Sequence, residues 1–143
     1  HGPHLLRPVE VYRDSPIFYS LGDFILELYS IEFAPEDFYK QQGMTSQNTV
    51  HELLKKRSQD FTRGLMEDRR MMQTVIPYWE TDGKKLTKLE FLPLELIKNG
   101  NKSEEGLPVI AENPDFAAHF AEISLPYGVK MTLDKNNIIK CTW

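Results

Sequence analysis

The chain of 143 residues has a single cysteine, Cys141. An internal disulfide framework is therefore excluded, and the redox compartment is not legible from cysteine usage. No apolar run approaches the ~20 residues needed to span a bilayer as a helix. No signal-peptide pattern, internal repeat or low-complexity segment is visible. Nor does one sign of charge dominate: 17 basic residues against 21 acidic ones leave a formal net charge of −4, which argues against nucleic acid as a partner. Eight glycines and nine prolines mark many turns but fall short of a disordered composition. What remains is an ordinary globular composition, long enough for one domain or most of one and able to bury about two-thirds of its unfolded surface.

The hydrophobic pattern divides the chain into three stretches. Residues 1–30 are β-rich. Val9–Tyr12 and residues 17–21 carry β-branched and aromatic side chains, and Arg13-Asp14-Ser15-Pro16 between them predicts a four-residue loop. The second segment is apolar almost throughout, which predicts a strand buried on both faces. Gly22-Asp23 then breaks it. Residues 31–70 are more polar and predict helix. Thr45 or Ser46 is a candidate cap for a helix carrying Val50, Leu53, Leu54, Phe61 and Leu65 on one face. Ala34-Pro35-Glu36-Asp37-Phe38 predicts a short helical turn, and Lys55-Lys56-Arg57 a solvated face.

Residues 71–143 turn β again. Segments 71–79 and 86–97 flank Asp82-Gly83-Lys84, a hairpin signal. Pro77 places the first of these at a sheet edge or a bulge. Residues 99–105 read as an exposed polar loop. Asn113-Pro114 opens a helix with Phe116, Ala117, Phe120, Ala121 and Ile123 at helical spacing, and Pro126-Tyr127-Gly128 ends it. Strands over 129–133 and 138–143 close the chain around Asp134-Lys135-Asn136-Asn137. Tyr78, Trp79 and Phe91 predict core packing, with a sugar or peptide platform as the alternative. Cys141 reads as a small buried apolar residue, since no histidine neighbours it in sequence.

The chemistry-bearing residues are concentrated at the start. His1 and His4 stand three apart, directly before the first strand, where a metal-binding loop would sit at a sheet edge. Terminal histidine runs also arise as tag remnants, but here the run continues directly into Val-Glu-Val-Tyr and Phe-Tyr-Ser-Leu-Gly. Glu10, on an alternating strand, either supports a metal-bound histidine or faces solvent. Asp23 either orients a histidine or caps the segment after it. His119 reads as a flank residue of an amphipathic helix.

The run HGPHLLRPVEVYRDSPIFYSLGDFI resembles a signature of the poly-γ-glutamate capsule biosynthesis (CapA-like) family, part of the calcineurin-like metallophosphatase superfamily. The likeness rests on His1 to His4 for the Gly-His-x-Pro-His loop, Glu10 with Tyr12 for a Glu-x-Tyr strand, and Phe18 to Phe24 for a Phe-Tyr-Ser-Leu-Gly-Asn-Phe strand. Residues 106–128 resemble the family's ending more loosely. Asp23 stands where the family usually has Asn. The superfamily's earlier Asp-x-His, Gly-Asp and Asn-His motifs do not occur in residues 1–143.

The resemblance implies an α+β fold: the C-terminal portion of a metallophosphatase-like layered α/β sandwich, with β-hairpins and two helices, residues 1–143 being the last part of one domain. It implies that His1 and His4 are ligands to two divalent ions (Mn, Fe or Zn) in the complete domain, with Glu10 and Asp23 behind them. The partners it implies are the missing N-terminal half and an anionic polymer or phosphoester substrate, and the setting is the cell envelope or extracellular space. The chain alone is expected to be inactive. Two other functional classes are open. One is a non-catalytic module that completes a sheet or binds polymer. The other is a histidine-brace copper monooxygenase, with His1 as N-terminal ligand and His4, His51 or His119 as its partner.

Overall fold

The computed structural model describes residues 2–28, 30–64, 67–98 and 100–143. They form a mixed α+β structure with two sheets and three α-helices. No helix among the described residues is long and apolar enough to cross a membrane. The chain divides into two compact units, one made of His1–Leu26 with Arg70–Trp143 and the other of Glu27–Arg69.

The first unit opens with a hairpin of β1 (Val9–Tyr12) and β2 (Ser15–Phe18). The expected four-residue loop is shorter in the structure. Arg13 and Asp14 take φ of 49° and 61°, the two positive values that a tight two-residue turn needs to match strand twist. Ser15 and Pro16 are thereby released to pair with Tyr12 and Val11. The expectation of a strand over 17–21 buried on both faces is also corrected. Ile17 and Phe18 are half-buried and Tyr19 is exposed, because this small sheet is covered on one face only. Pairing continues beyond the named strands through Arg7 N–H to Ser20 O (2.9 Å) and Tyr19 N–H to Pro8 O (3.3 Å), and through a bridge between Leu6 and Leu21.

The larger sheet is antiparallel. Its order is β3 (Gln73–Thr81), β4 (Leu86–Leu96), β7 (Ile139–Thr142), β6 (Lys130–Leu133), and β5 (Pro108–Ile110) also pairs with β4. Pro77 lies in the edge strand β3, opposite Phe91, where a missing N–H costs no ladder bond on the open side. The bulge falls instead at Glu80/Thr81. β5 was not expected. Three residues beginning with proline carry too little pattern to announce a strand.

Helix α3 (Pro114–Ser124) starts where Asn113 accepts a hydrogen bond from Asp115 N–H (2.8 Å). It lays Phe116, Ala117 and Phe120 into a core with Leu6, Val9, Val75, Leu89, Phe91, Val129 and Ile139. Phe91 is wholly buried and meets Phe120 and Phe18 edge-on, with ring centroids 5.1 and 6.0 Å away. Of the three hairpin aromatics expected in the core, only Phe91 is there. Tyr78 and Trp79, in the half of the edge strand where burial falls away after Val75, are about half exposed.

In the second unit α1 (Glu36–Gln41) and α2 (Val50–Arg57) enclose Tyr39, Val50, Leu53 and Leu54. The helix expected to begin at Thr45 or Ser46 begins after Thr49. Thr49 and Glu52 form a reciprocal capping box, while Thr45 and Asn48 close a separate turn ahead of it. The helix stops at Ser58, after which Gln59, Asp60 and Phe61 all have positive φ. Phe61 therefore leaves the helical face and stacks near His51, 5.3 Å between centroids. Leu65 lies outside the described residues. The basic run Lys55-Lys56-Arg57 is exposed in the last turn, where cations favour the helix dipole. α1 makes a third helix where a short turn was expected.

Phe91→Ala should lower unfolding stability by about 3–5 kcal/mol, whereas Tyr78→Ala should change it by less than about 1 kcal/mol. Urea denaturation of the two variants checks both values.

Candidate functional site

The N-terminal loop reaches its sheet through the Leu6–Leu21 bridge, and on the far side of that bridge the chain turns at Gly22. Gly22 has a φ of +79°, and a Cβ placed there would stand 2.5 Å from the Gln73 carbonyl oxygen. Only glycine fits a left-handed backbone so close to another strand. Thr74 fixes the same spot by donating its hydroxyl to Leu21 O at 2.7 Å. The turn at Gly22 presents Asp23 to His4.

The contact is two-pronged. His4 Nδ1 lies 2.9 Å from Asp23 Oδ1 and 3.0 Å from Oδ2. An ionised carboxylate can only accept, so Nδ1 carries the proton and the neutral ring keeps its lone pair on Nε2. Carboxylate–imidazole pairs of this kind fix tautomer and ring orientation in metal-ligating histidines. His4 is mostly exposed and Asp23 largely covered, at 59% and 14% side-chain accessibility. A contact that open is worth about 0–1 kcal/mol of stability at best. Its consequence is orientation of the ring rather than support of the fold.

His1 lies outside the described residues. Glu10 is engaged elsewhere: its Oε2 accepts from the Tyr19 hydroxyl at 2.6 Å. That bond, more than any other influence, holds the Tyr19 phenol above its usual pKa. His119 is exposed on α3, its Nδ1 3.9 Å from a Glu122 carboxylate oxygen. Cys141 is half-buried beside the core. Burial, reinforced by the nearby Glu90 carboxylate, pushes its thiol up to about 12.

Among the described residues no group of three or more His, Cys, Asp or Glu side chains is arranged to hold a metal ion. One oriented imidazole with its carboxylate does not make a metal centre, and these two residues alone do not fit a two-ion site. Gly22 was read from the sequence as the strand break. Thr74, which locks the turn with it, and Tyr19, which occupies Glu10, were not singled out, because both depend on strand register.

Comparison with known proteins bears on the same stretch. The profile of the family described as bacterial capsule synthesis protein PGA_cap matches residues 1–27, which include His4, Glu10 and Asp23. Two relatives from Sinorhizobium fredii (strain NBRC 101917 / NGR234), the uncharacterized proteins y4sH and y4uA, are each 24% identical over 143 residues. The alignments cover 94% of this chain and 31% of each relative, so the chain spans about a third of the length of these proteins. The opening segment is thus similar to a capsule synthesis family, and the similarity to y4sH and y4uA runs along nearly the whole chain.

Two outcomes are expected. Asp23→Ala should move the His4 proton from Nδ1 toward Nε2, the other neutral tautomer, as read by long-range ¹⁵N–¹H NMR of the ring. Cys141, with its pKa raised from 9.0 to about 12, should be nearly inert to iodoacetamide at pH 8. Its thiolate fraction there falls from about one in ten when unfolded to about one in ten thousand when folded. Because the folded thiol holds its proton more tightly, its contribution to stability is complete below pH 9 and is lost as the pH rises toward 12.

Proposed function

We propose that this chain is a portion of a CapA-like capsule synthesis protein, and that His4 is one nitrogen ligand to a divalent ion whose other donors lie outside the described residues. The observation that carries this is the bidentate hold of Asp23 on His4 Nδ1, which leaves Nε2 as the donor atom. It is supported by the capsule-synthesis match over the same residues. A neutral imidazole suits Zn, Fe or Mn-type ions, and His1 is the proposed second histidine of the loop.

In the whole protein this centre belongs to a metallophosphatase-like layered domain at the cell envelope. It acts on a phosphoester or an anionic polymer. Asp23 is a positioning residue there: it holds the ring and its tautomer. Glu10 holds the Tyr19 hydroxyl and takes no part in orienting His4. Residues 1–143 alone are not expected to complete the centre, and no reaction step is assigned to them.

Zinc titration of ¹⁵N-histidine-labelled protein tests the proposal. The His4 ring should respond at lower zinc than those of His51 and His119. Asp23→Ala should shift the His4 curve to about 10–100-fold higher zinc. A His4 ring that titrates together with His51, or one indifferent to loss of Asp23, would overturn it.

A further inference from the structure

A cavity of about 480 Å³ opens in the first unit beside the N-terminal loop, a size in the usual range for small-molecule sites, ~300–1,000 Å³. Its wall is formed by the chain leading into β1, by α3 and by the 3₁₀ turn Leu125–Tyr127 that follows α3. Arg7, Arg70 and His119 supply basic groups, and Tyr19, Tyr127 and Ile123 supply rings and hydrocarbon. Among the described residues no Asp or Glu lines it, although acidic residues outnumber basic ones in the chain by 21 to 17. Carboxylates outside it touch lining side chains, among them Glu10 on Tyr19 and Glu122 on His119, and Arg70 is itself engaged.

We propose that this cavity binds a small organic oxyanion, a carboxylate or phosphate joined to a ring or short hydrocarbon body. Guanidinium groups match the planar, two-pronged geometry of both anions. Tyr19 and Tyr127 stand 5.4 Å apart, tilted by 52°, and offer a ring surface for the body. The Tyr19 hydroxyl is committed to Glu10, so that residue presents its ring rather than a donor. The wall is held in register from both sides. Arg7 is anchored through its N–H to Ser20 O, and the wholly buried Ser124 accepts from Val9 N–H at 3.3 Å, tying the end of α3 to β1. His119 and Ile123, four residues apart, share one face of the helix. His4 and Asp23 are not among its lining residues, and the proposal does not rest on metal binding.

The test is NMR titration of the full chain with phenyl phosphate, benzoate and, as an uncharged control, benzyl alcohol, all in buffer containing EDTA. At least one anion should shift the Tyr127 ring and Ile123 methyl signals saturably, and the tighter of the two identifies phosphate or carboxylate as the preferred group. Arg7→Gln, at an exposed position that tolerates exchange, should weaken that anion about tenfold, the loss expected for one charge-assisted hydrogen bond. The proposal is overturned if neither anion gives a saturable shift, if benzyl alcohol binds as well, or if Arg7→Gln changes nothing. Because the chelator removes metal ions, this failure and failure of the His4 assignment are independent.

Discussion

The candidate site depends on one close approach, that of the Gly22 backbone to the Gln73 carbonyl at the start of β3. A side chain at Gly22 would collide there, and its left-handed φ would strain any other residue. The approach is secured by the Thr74 hydroxyl on Leu21 O and by the Leu6–Leu21 bridge. Everything the N-terminal loop presents follows from this junction. Asp23 turns toward His4, and His4 is given one tautomer. Neither residue needs deep burial for this, because the constraint lies in the backbone.

Behind the junction, the first unit is held by apolar packing. Phe91 and Phe120 meet at the centre, and α3 closes the sheet through Phe116 and Ala117. The buried polar contact in this region both orients and stabilises. Ser124, wholly buried on α3, satisfies the Val9 N–H, which would otherwise stand buried and unpaired at a cost of about 1–3 kcal/mol. The same bond aligns the helix with the strand from which Arg7 and Pro8 reach the cavity. Core and cavity wall thus share a boundary, and the basic residues sit on its wet side.

Much of this was legible in the sequence. Asn113-Pro114 marked the start of α3, the alternation around Asp82-Gly83 marked the long hairpin, and Val9–Tyr12 was readable as a strand. The α+β class followed from these. The misses have physical causes. β2 begins early because Arg13 and Asp14 adopt left-handed geometry that their residue types permit but do not announce. Thr49 with Glu52 outcompetes Thr45 and Ser46 as a cap because only Thr49 has a glutamate three residues on. At the site, Gly22-Asp23 pointed to a turn near the histidines. The Tyr19–Glu10 bond did not show itself: Tyr19 stands two places beyond Ile17, the cross-strand partner of Glu10, and such diagonal neighbours appear only once register is known.

The most direct test of this account is the His4 ring in Gly22→Ala, observed by ¹⁵N NMR alongside the core methyl groups of Val9 and Ile139. If the close approach sets the site, the Nδ1-protonated tautomer is lost while the Ile139 methyl signals stay in place. A His4 ring that keeps its tautomer with alanine at position 22 would contradict the account.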